Sequence, residues 1–338
     1  MKRIALIGYG YWGPNYLRVC RELPDCDIAY ICDISEENRN KAVRAIGREK
    51  VTGEYETVMA DGSVDAVIVS TPLHTHYAIA RSALEHGKHV LVEKPFTQTY
   101  AEARELLALG RKHRRFVKAG HIYEYNPAIG FIKDMIASGE LGTIYYMHAE
   151  RTGLGPIRKH ASALWDLATH DISIALLFAS ELPDLVTTIQ GQYLQSGVGD
   201  IAFVHLRFPS GLMCSIHASW ISPEKIRKIT LVGSKAMAII DDVNKAEPVK
   251  IFKREIRLDE LDSTPEYSDH QNIVHIGDIA IPNIEQYEPL KRQVQEFIAH
   301  TERDDPNETD RHAADVILIL EAAERSLVER KAVPCRAA

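Results

Sequence analysis

Gly8-Tyr9-Gly10-Tyr11-Trp12-Gly13 follows the short apolar run Arg3–Ile7 and leads into a helical stretch carrying Leu17, Val19 and Cys20. That placement decides how the first half of the chain is read. A glycine turn between strand and helix has three physical jobs. The first glycine takes the tight turn, the second lets a pyrophosphate approach the backbone, and the third lets helix and strand pack closely. The helix start then offers unpaired N–H groups and a positive dipole end to an anion. Asp33, 20 residues past Gly13, stands at the tip of the next apolar run, Asp27–Cys32. A carboxylate there accepts from ribose hydroxyls and repels a 2′-phosphate, and Ile34 behind it supplies no cation for such a phosphate. The expectation is a dinucleotide site that prefers NAD to NADP, formed by Gly8, Gly10, Tyr11, Trp12, Gly13 and Asp33. The same turn and carboxylate also suit an S-adenosylmethionine-dependent methyltransferase, so they do not by themselves name the reaction.

Outward from the turn, short apolar runs recur at Ala66–Val69, His89–Val92 and Phe116–Ala119, alternating with amphipathic stretches. Runs this short and this apolar suit strands buried on both faces of a parallel sheet. Ser35 is a helix start, and Thr99 to His113 puts Ala103, Leu106, Leu107 and Gly110 on one stripe. The expected fold is therefore α/β, with a doubly wound Rossmann domain over residues 1–122. Beyond it the pattern changes. Asn126-Pro127 opens a helix, and longer alternating segments follow at Thr143–Arg151, Asp184–Tyr193, Asp200–Phe208, Met213–Trp220 and Lys228–Val232. Pro209-Ser210-Gly211 reads as a hairpin turn. Residues 123–338 are expected to form an α+β domain with an open, largely antiparallel mixed sheet. Two closing helices carry the stripes Leu290, Val294, Phe297, Ile298 and Val316, Leu320, Ala323, Leu327, and a C-terminal helix packing back on the first domain is left open. Residues 241–284 read only as short strands and an exposed loop.

Composition narrows the function. A chain of 338 residues suits about two domains. Hydrophobic residues at 45% and charged residues at 26% exclude intrinsic disorder. With 40 Lys and Arg against 47 Asp and Glu, no cationic excess exists to replace the counterions of a nucleic acid. The longest apolar stretch, Ile174–Ala179, is far too short to span a membrane. Met1-Lys2-Arg3 runs straight into a strand pattern, so a cytoplasmic protein is expected. Five cysteines without a Cys-x-x-Cys pair argue against a disulfide framework and a cysteine zinc site.

A second constellation carries reactive groups. Val92-Glu93-Lys94-Pro95 closes an apolar run at the sheet edge where open α/β sheets bind ligands. Proline biases Lys94 toward extended backbone, and the residue is read evenly as a reactive ammonium or a surface lysine. Thr71-Pro72 closes another run, and His74 and His76 after it lack the carboxylate or cysteine company of a metal site. Cofactor contacts or a helix start fit them better. Further on, Asp166 and His170 are four residues apart in a stretch of helical periodicity, hence on one face. A carboxylate that orients a histidine base and a buried structural pair are equal alternatives there.

Together these residues resemble the Gfo/Idh/MocA family, the glucose–fructose oxidoreductase and inositol dehydrogenase group. The resemblance rests on Gly8-Tyr9-Gly10-Tyr11-Trp12-Gly13-Pro14-Asn15, Thr71-Pro72 with His76, Glu93-Lys94-Pro95, Gly120-His121 with Asn126-Pro127, and Asp166 with His170. These motifs follow the family's order over residues 1 to about 175. The opening motif and Trp165-Asp166-Leu167-Ala168-Thr169-His170-Asp171 resemble the branch acting on nucleotide sugars and sugars of secondary metabolites. The resemblance implies Lys94 and His170 as the catalytic pair with Asp166 beside them, cofactor contacts from Thr71, Pro72, His76, Glu93 and Lys94, and NAD as hydride acceptor. It also implies a homodimer or homotetramer formed through the C-terminal sheet.

One departure concerns the substrate wall. Family members often carry an arginine before the aromatic-Asn-Pro segment, whereas Tyr123-Glu124-Tyr125 precedes Asn126-Pro127 here. Tyr123, Tyr125, Asn126, Arg151, Arg158, Lys159 and Trp165 are the candidate substrate contacts. Core packing for the tyrosines and plain solvation for the basic residues are the alternatives. The expected activity is oxidation of one ring hydroxyl of a sugar or aminosugar, with no metal. The rivals are the methyltransferase and a NAD-binding regulator without turnover.

Overall fold

The protein is described by a computed structural model covering residues 1–155, 157, 161–253, 255–256, 274–275, 277–303 and 310–337. It divides into two units, Met1–Tyr125 with Tyr287–Leu318, and Asn126–Gln286 with Ile319–Ala338.

The first unit is built on β1 (Lys2–Ile7), α1 (Gly13–Glu22), β2 (Cys26–Cys32), α2 (Glu36–Ile46), β3 (Val51–Thr52), α3 (Tyr55–Ala60), β4 (Ala66–Val69), α4 (Leu73–Glu85), β5 (His89–Glu93), α5 (Tyr100–His113) and β6 (Val117–Gly120). The strands pair in parallel in the order β3-β2-β1-β4-β5-β6. Strand order therefore reverses between β1 and β4, which opens the ligand crevice at their carboxyl ends. Every residue of β4 and β5 is buried, as continuous apolar runs require. Ser35 caps α2 by accepting from the Asn38 N–H, and Thr99 with Glu102 forms a capping box on α5.

A domain break at residue 122 is too simple. Residues 287–318 return to the first unit, because α8 (Pro289–Thr301) contributes Leu290, Val294, Phe297 and Ile298 to the core of Ile4, Leu6, Ile31, Tyr16, Leu17 and Cys20. The Phe116 ring lies 6.1 Å from that of Phe297 and stacks on His300 at 4.6 Å. The division runs through α9 (Arg311–Glu329).

Two buried histidines are expected to make this unit acid-sensitive. His89 accepts the Phe116 N–H on Nδ1, and burial, then Arg115 and Lys2, push it down to about 4. Burial likewise pushes His121 down to about 4, with no hydrogen-bond partner for either ring nitrogen among the described residues. A histidine depressed in the folded state contributes stability that is present above about pH 6.5 and lost as pH falls toward 4. At about 1.36 kcal/mol per pH unit, each costs the folded state on the order of 3 kcal/mol by pH 4. His121→Phe is expected to lower the acid-unfolding midpoint, followed by circular dichroism. An unchanged midpoint would show that His121 already gains its proton without cost.

The second unit is built on α6 (Pro127–Ala137), β7 (Ile144–Leu154), α7 (Thr169–Ala179), β8 (Leu185–Gly191), β9 (Ile201–Arg207), β10 (Met213–Ser219), β11 (Ile221–Gly233), β12 (Met237–Asp241), β13 (Val249–Phe252), β14 (Glu255–Ile256), β15 (Val274–His275), β16 (Ile279–Ala280) and β17 (Val333–Pro334). Nine of these strands form one sheet, β16-β13-β12-β11-β7-β10-β9-β8-β17, and β14 pairs with β15. Among the described residues only β7 and β10 run parallel in the large sheet. The hairpin between β9 and β10 turns where expected, with Gly211 at φ +93°. Alternation along β9 buries Ala202, Val204 and Leu206 and exposes Phe203, His205 and Arg207, which leaves one face of the sheet without cover among the described residues. Of the stretch 241–284, β13 and β16 extend the sheet edge, and residues 257–273 lie outside those described.

Candidate active site

The three glycines of the turn divide their work as the motif requires. Gly8 sits at φ +96°, and a Cβ there would stand 2.6 Å from the Ser70 carbonyl oxygen, so β1 and β4 close up only around glycine. A Cβ on Gly13 would stand 2.6 Å from the Gly8 carbonyl oxygen, which fixes how α1 docks under the turn. A Cβ on Gly10 would meet nothing within 4 Å, so this side of the turn is free for a ligand. Trp12 caps α1 without a side-chain bond, its ring edge-on to that of Tyr11, which is 80% exposed.

Asp33 is held open at the tip of β2. Its Oδ2 accepts from the Tyr9 N–H at 2.6 Å and the Asn38 amide at 3.1 Å, and its Oδ1 accepts from the Ser35 N–H at 2.7 Å. A carboxylate has about four acceptor positions, so one remains for a ribose hydroxyl. Arg39, which the sequence did not single out, donates to the carbonyl oxygens of Asp33 and Ile34 at 3.0 and 2.8 Å. The cradle, the free side at Gly10 and the fixed carboxylate fit the pyrophosphate and ribose of a dinucleotide.

Glu93 and Lys94 stand at the end of β5. Glu93 is buried, which pushes its carboxyl above the usual range, and it accepts from the fully buried Tyr16 hydroxyl at 2.8 Å. Its other oxygen accepts the Lys94 N–H at 3.0 Å. The Glu93 side chain lies against Gly120 of β6, where a Cβ would stand 3.4 Å from its Cδ. Glu93 therefore anchors the backbone that presents Lys94. His76 is also buried, and its ring nitrogens face backbone carbonyls, Pro95 at 2.9 Å and Thr71 at 2.8 Å. Its side chain joins two strand-end turns and is not turned outward to a cofactor. His74 and His76 both sit in the first turns of α4, as a helix start predicts.

In the second unit Asp166 and His170 do not share one continuous α-helix. Leu164–Ala168 is a π-turn, and α7 begins at Thr169. A π-turn adds a residue to the i→i+4 ladder, so the sequence spacing of four no longer fixes the two side chains on one stripe. The Thr169 hydroxyl donates to the Trp165 carbonyl at 2.5 Å at the junction. Trp165 is buried, and its indole N–H donates to Glu324 of α9 at 2.6 Å. His170 is buried at 9% exposure in the first turn of α7.

Several candidate substrate contacts have partners within the fold. Arg151 is buried and donates from Nε and Nη2 to the two oxygens of Asp171, both at 2.8 Å. Asn126 caps α6 through Ala128 N–H and donates to Asp242 at 3.0 Å. The Tyr125 hydroxyl donates to Glu296 of α8 at 2.9 Å, and Tyr123 lies half-buried in the same short 3₁₀ segment. Arg158 and Lys159 lie outside the described residues. Breaking one side of a buried ion pair costs about 3–5 kcal/mol. Asp171→Asn is expected to lose that much in urea denaturation, and Arg151→Met with Asp171→Leu to regain most of it. Equal losses in the single and double variants would show that the pair does not act as a unit.

A doubly wound domain with this glycine cradle and a fixed ribose carboxylate defines a dinucleotide-binding protein, and the comparisons name the class. Residues 2–121 match the GFO_IDH_MocA family, described as an oxidoreductase family with an NAD-binding Rossmann fold, and residues 130–239 match the GFO/IDH/MocA C-terminal domain. The chain belongs to the Gfo/Idh/MocA family and is an NAD(P)-dependent oxidoreductase. UDP-N-acetylglucosamine 3-dehydrogenase of Acidithiobacillus ferrooxidans is 27% identical over 247 residues, 72% of this chain and 74% of that protein. The scyllo-inositol 2-dehydrogenase (NAD(+)) of Bacillus subtilis is 28% identical, over 65% of this chain and 68% of its own length. In fold, the chain matches GenD2 from gentamicin A biosynthesis, solved in complex with NAD, at a TM-score of 0.82 and 22% identity over 99% of this chain and 97% of that one. The methyltransferase alternative falls with this assignment. Among the described residues no helix is long and apolar enough to cross a membrane, and no cluster of three or more His, Cys, Asp or Glu suits a metal.

Proposed function

We propose that this protein oxidises a ring secondary hydroxyl of a sugar to a ketosugar, reversibly, with NAD as the hydride acceptor. The substrate class is a nucleotide sugar, an aminosugar or an aminoglycoside-type sugar. The observation that carries the reading is the anchored Lys94. Its backbone is pinned by a buried Glu93 and Tyr16 at the carboxyl edge of the sheet that carries the glycine cradle. An alcohol carbon releases hydride only as its oxygen gains negative charge. In this reading His170 takes the hydroxyl proton, the Lys94 ammonium stabilises the growing alkoxide, and Asp166 supports the base. The bound nicotinamide supplies the hydride acceptor. Asp33 beside the glycine turn, a carboxylate that accepts from ribose hydroxyls and repels a 2′-phosphate, favours NAD over NADP.

The relatives that act on UDP-N-acetylglucosamine and scyllo-inositol support a cyclic polyol substrate. The test is incubation with NAD, or with NADP, and UDP- and dTDP-sugars, free sugars, inositols and aminoglycosides, with products read by mass spectrometry. A sugar lighter by two hydrogens, formed with NAD, is expected. Tight NAD binding with no sugar changed would favour the regulator.

Self-association through the open face of the second sheet belongs to the same reading. Ile189, Phe203, Met213 and Tyr146 line that face at 64, 38, 63 and 46% exposure, with Met213 opposite Tyr146 and Phe203 opposite Ile189. Phe203→Lys with Met213→Lys is expected to convert a dimer or tetramer to a monomer by light scattering. An unchanged mass would place the interface elsewhere.

A further inference from the structure

His76 is 1% exposed, yet its ring meets only acceptors. Nδ1 lies 2.9 Å from the Pro95 carbonyl and Nε2 lies 2.8 Å from the Thr71 carbonyl. A neutral imidazole has one N–H and one lone pair. It can satisfy one of these carbonyls while turning a lone pair on another, whereas an imidazolium satisfies two. Burial outweighs the rest and holds His76 below the ordinary histidine value, His74 adding to that push, while the backbone carbonyls push it up. Glu93 and Lys94 are the charged residues next to Pro95 in the chain. Opposed influences of this kind leave the ring sensitive to any negative charge that arrives at the same sheet edge. A dinucleotide pyrophosphate on the glycine turn brings such charge.

We propose that His76 is a positioning residue for Lys94, tying the Thr71–Pro72 turn to the Lys94–Pro95 turn as a doubly donating imidazolium that forms when the dinucleotide binds. NAD binding then takes up a proton. The inference rests on the dinucleotide reading above for the identity of the ligand, and on the two carbonyl contacts for the rest.

The test is nitrogen NMR of the whole protein with ¹⁵N-labelled histidine, with and without NAD, the His76 signals being assigned by their loss in His76→Phe. The two ring nitrogens are well separated in a neutral imidazole and nearly coincident in an imidazolium. Convergence on adding NAD is expected, together with proton uptake in calorimetry in two buffers of different ionisation enthalpy, lost in His76→Phe. By linkage the NAD Kd weakens about tenfold per pH unit between the free and bound ring pKa values. His76→Phe is expected to lower kcat by about 10²-fold with little change in sugar KM, as for a misplaced catalytic group. His76→Gln, which keeps an N–H donor, restores part of it. NAD binding with the ring in one protonation state throughout overturns this inference alone. No NAD binding at all overturns it together with the cofactor reading.

Discussion

Lys94→Ala is expected to lower kcat by about 10²–10³-fold, the cost of removing one preorganised group that meets developing negative charge. The reason to read that loss as chemistry lies in how the loop is held. The bond to Glu93 comes from the Lys94 backbone N–H, Glu93 is fixed by the Tyr16 hydroxyl, and the Pro95 carbonyl faces His76. These contacts hold the backbone around Lys94, so the variant is expected to fold, and a matched NAD titration separates lost chemistry from lost cofactor binding. His170→Ala is expected to cost about 10²–10⁴-fold, the range for a positioned general base. Losses in the double variant should fall short of the sum if, as proposed, the two groups act on one oxygen. Steady-state NADH formation with matched thermal melts checks all three variants. Near-full turnover in either single variant would remove that residue from the mechanism.

Substitutions in the glycine turn should separate folding from binding. Gly8→Val forces an L side chain into φ +96° and sets its Cβ 2.6 Å from the Ser70 oxygen and 2.9 Å from the Thr71 nitrogen. The left-handed backbone alone costs roughly 1–2 kcal/mol, and the contact with backbone adds to it. Gly8→Val should therefore lose stability and NAD binding together. A Cβ on Gly10 meets nothing within 4 Å, so Gly10→Val should fold with an unchanged melting midpoint and still fail to hold NAD, because the side chain occupies the ligand's approach. Thermal melts and NAD titration by fluorescence distinguish the two. Gly10→Val binding NAD normally would move the pyrophosphate away from this turn.

What was legible in the sequence follows from where the forces are local. β4 and β5 are short and buried on both faces, so each reads as a bare apolar run, and their ends came within a residue. The start of α2 at Ser35 and the opening of α6 at Asn126-Pro127 were legible because a cap is a contact within a few residues. β3, two residues long, carries no periodicity to find. The return of α8 to the first unit depends on which apolar stripe meets which core, a long-range matter that Leu290 and Phe297 do not declare.

The site divides the same way. Gly8, Gly13 and Asp33 were readable because turn geometry and strand tip fix their roles within one strand–helix–strand unit. Tyr16 lies 77 residues from Glu93, and nothing near either one announces the bond. Arg151 reads in sequence as an anion contact or a solvated base, and in the structure Asp171, next to His170, holds it. A carboxylate directly after a candidate base, facing another way on a helix, was the one signal available. The spacing of Asp166 and His170 was read on a continuous α-helix, whereas the chain makes a π-turn over Leu164–Ala168 and begins α7 at Thr169.

The central claim is hydride transfer from a sugar carbon to NAD, with Lys94 required. The most direct measurement is near-UV absorbance of NADH after mixing the protein, NAD and each class of sugar, with Lys94→Ala in parallel. A rise with one class of cyclic sugar, absent in the variant, is expected. Absence of any rise with every class, in protein shown to bind added NAD and to release none on denaturation, would contradict the claim.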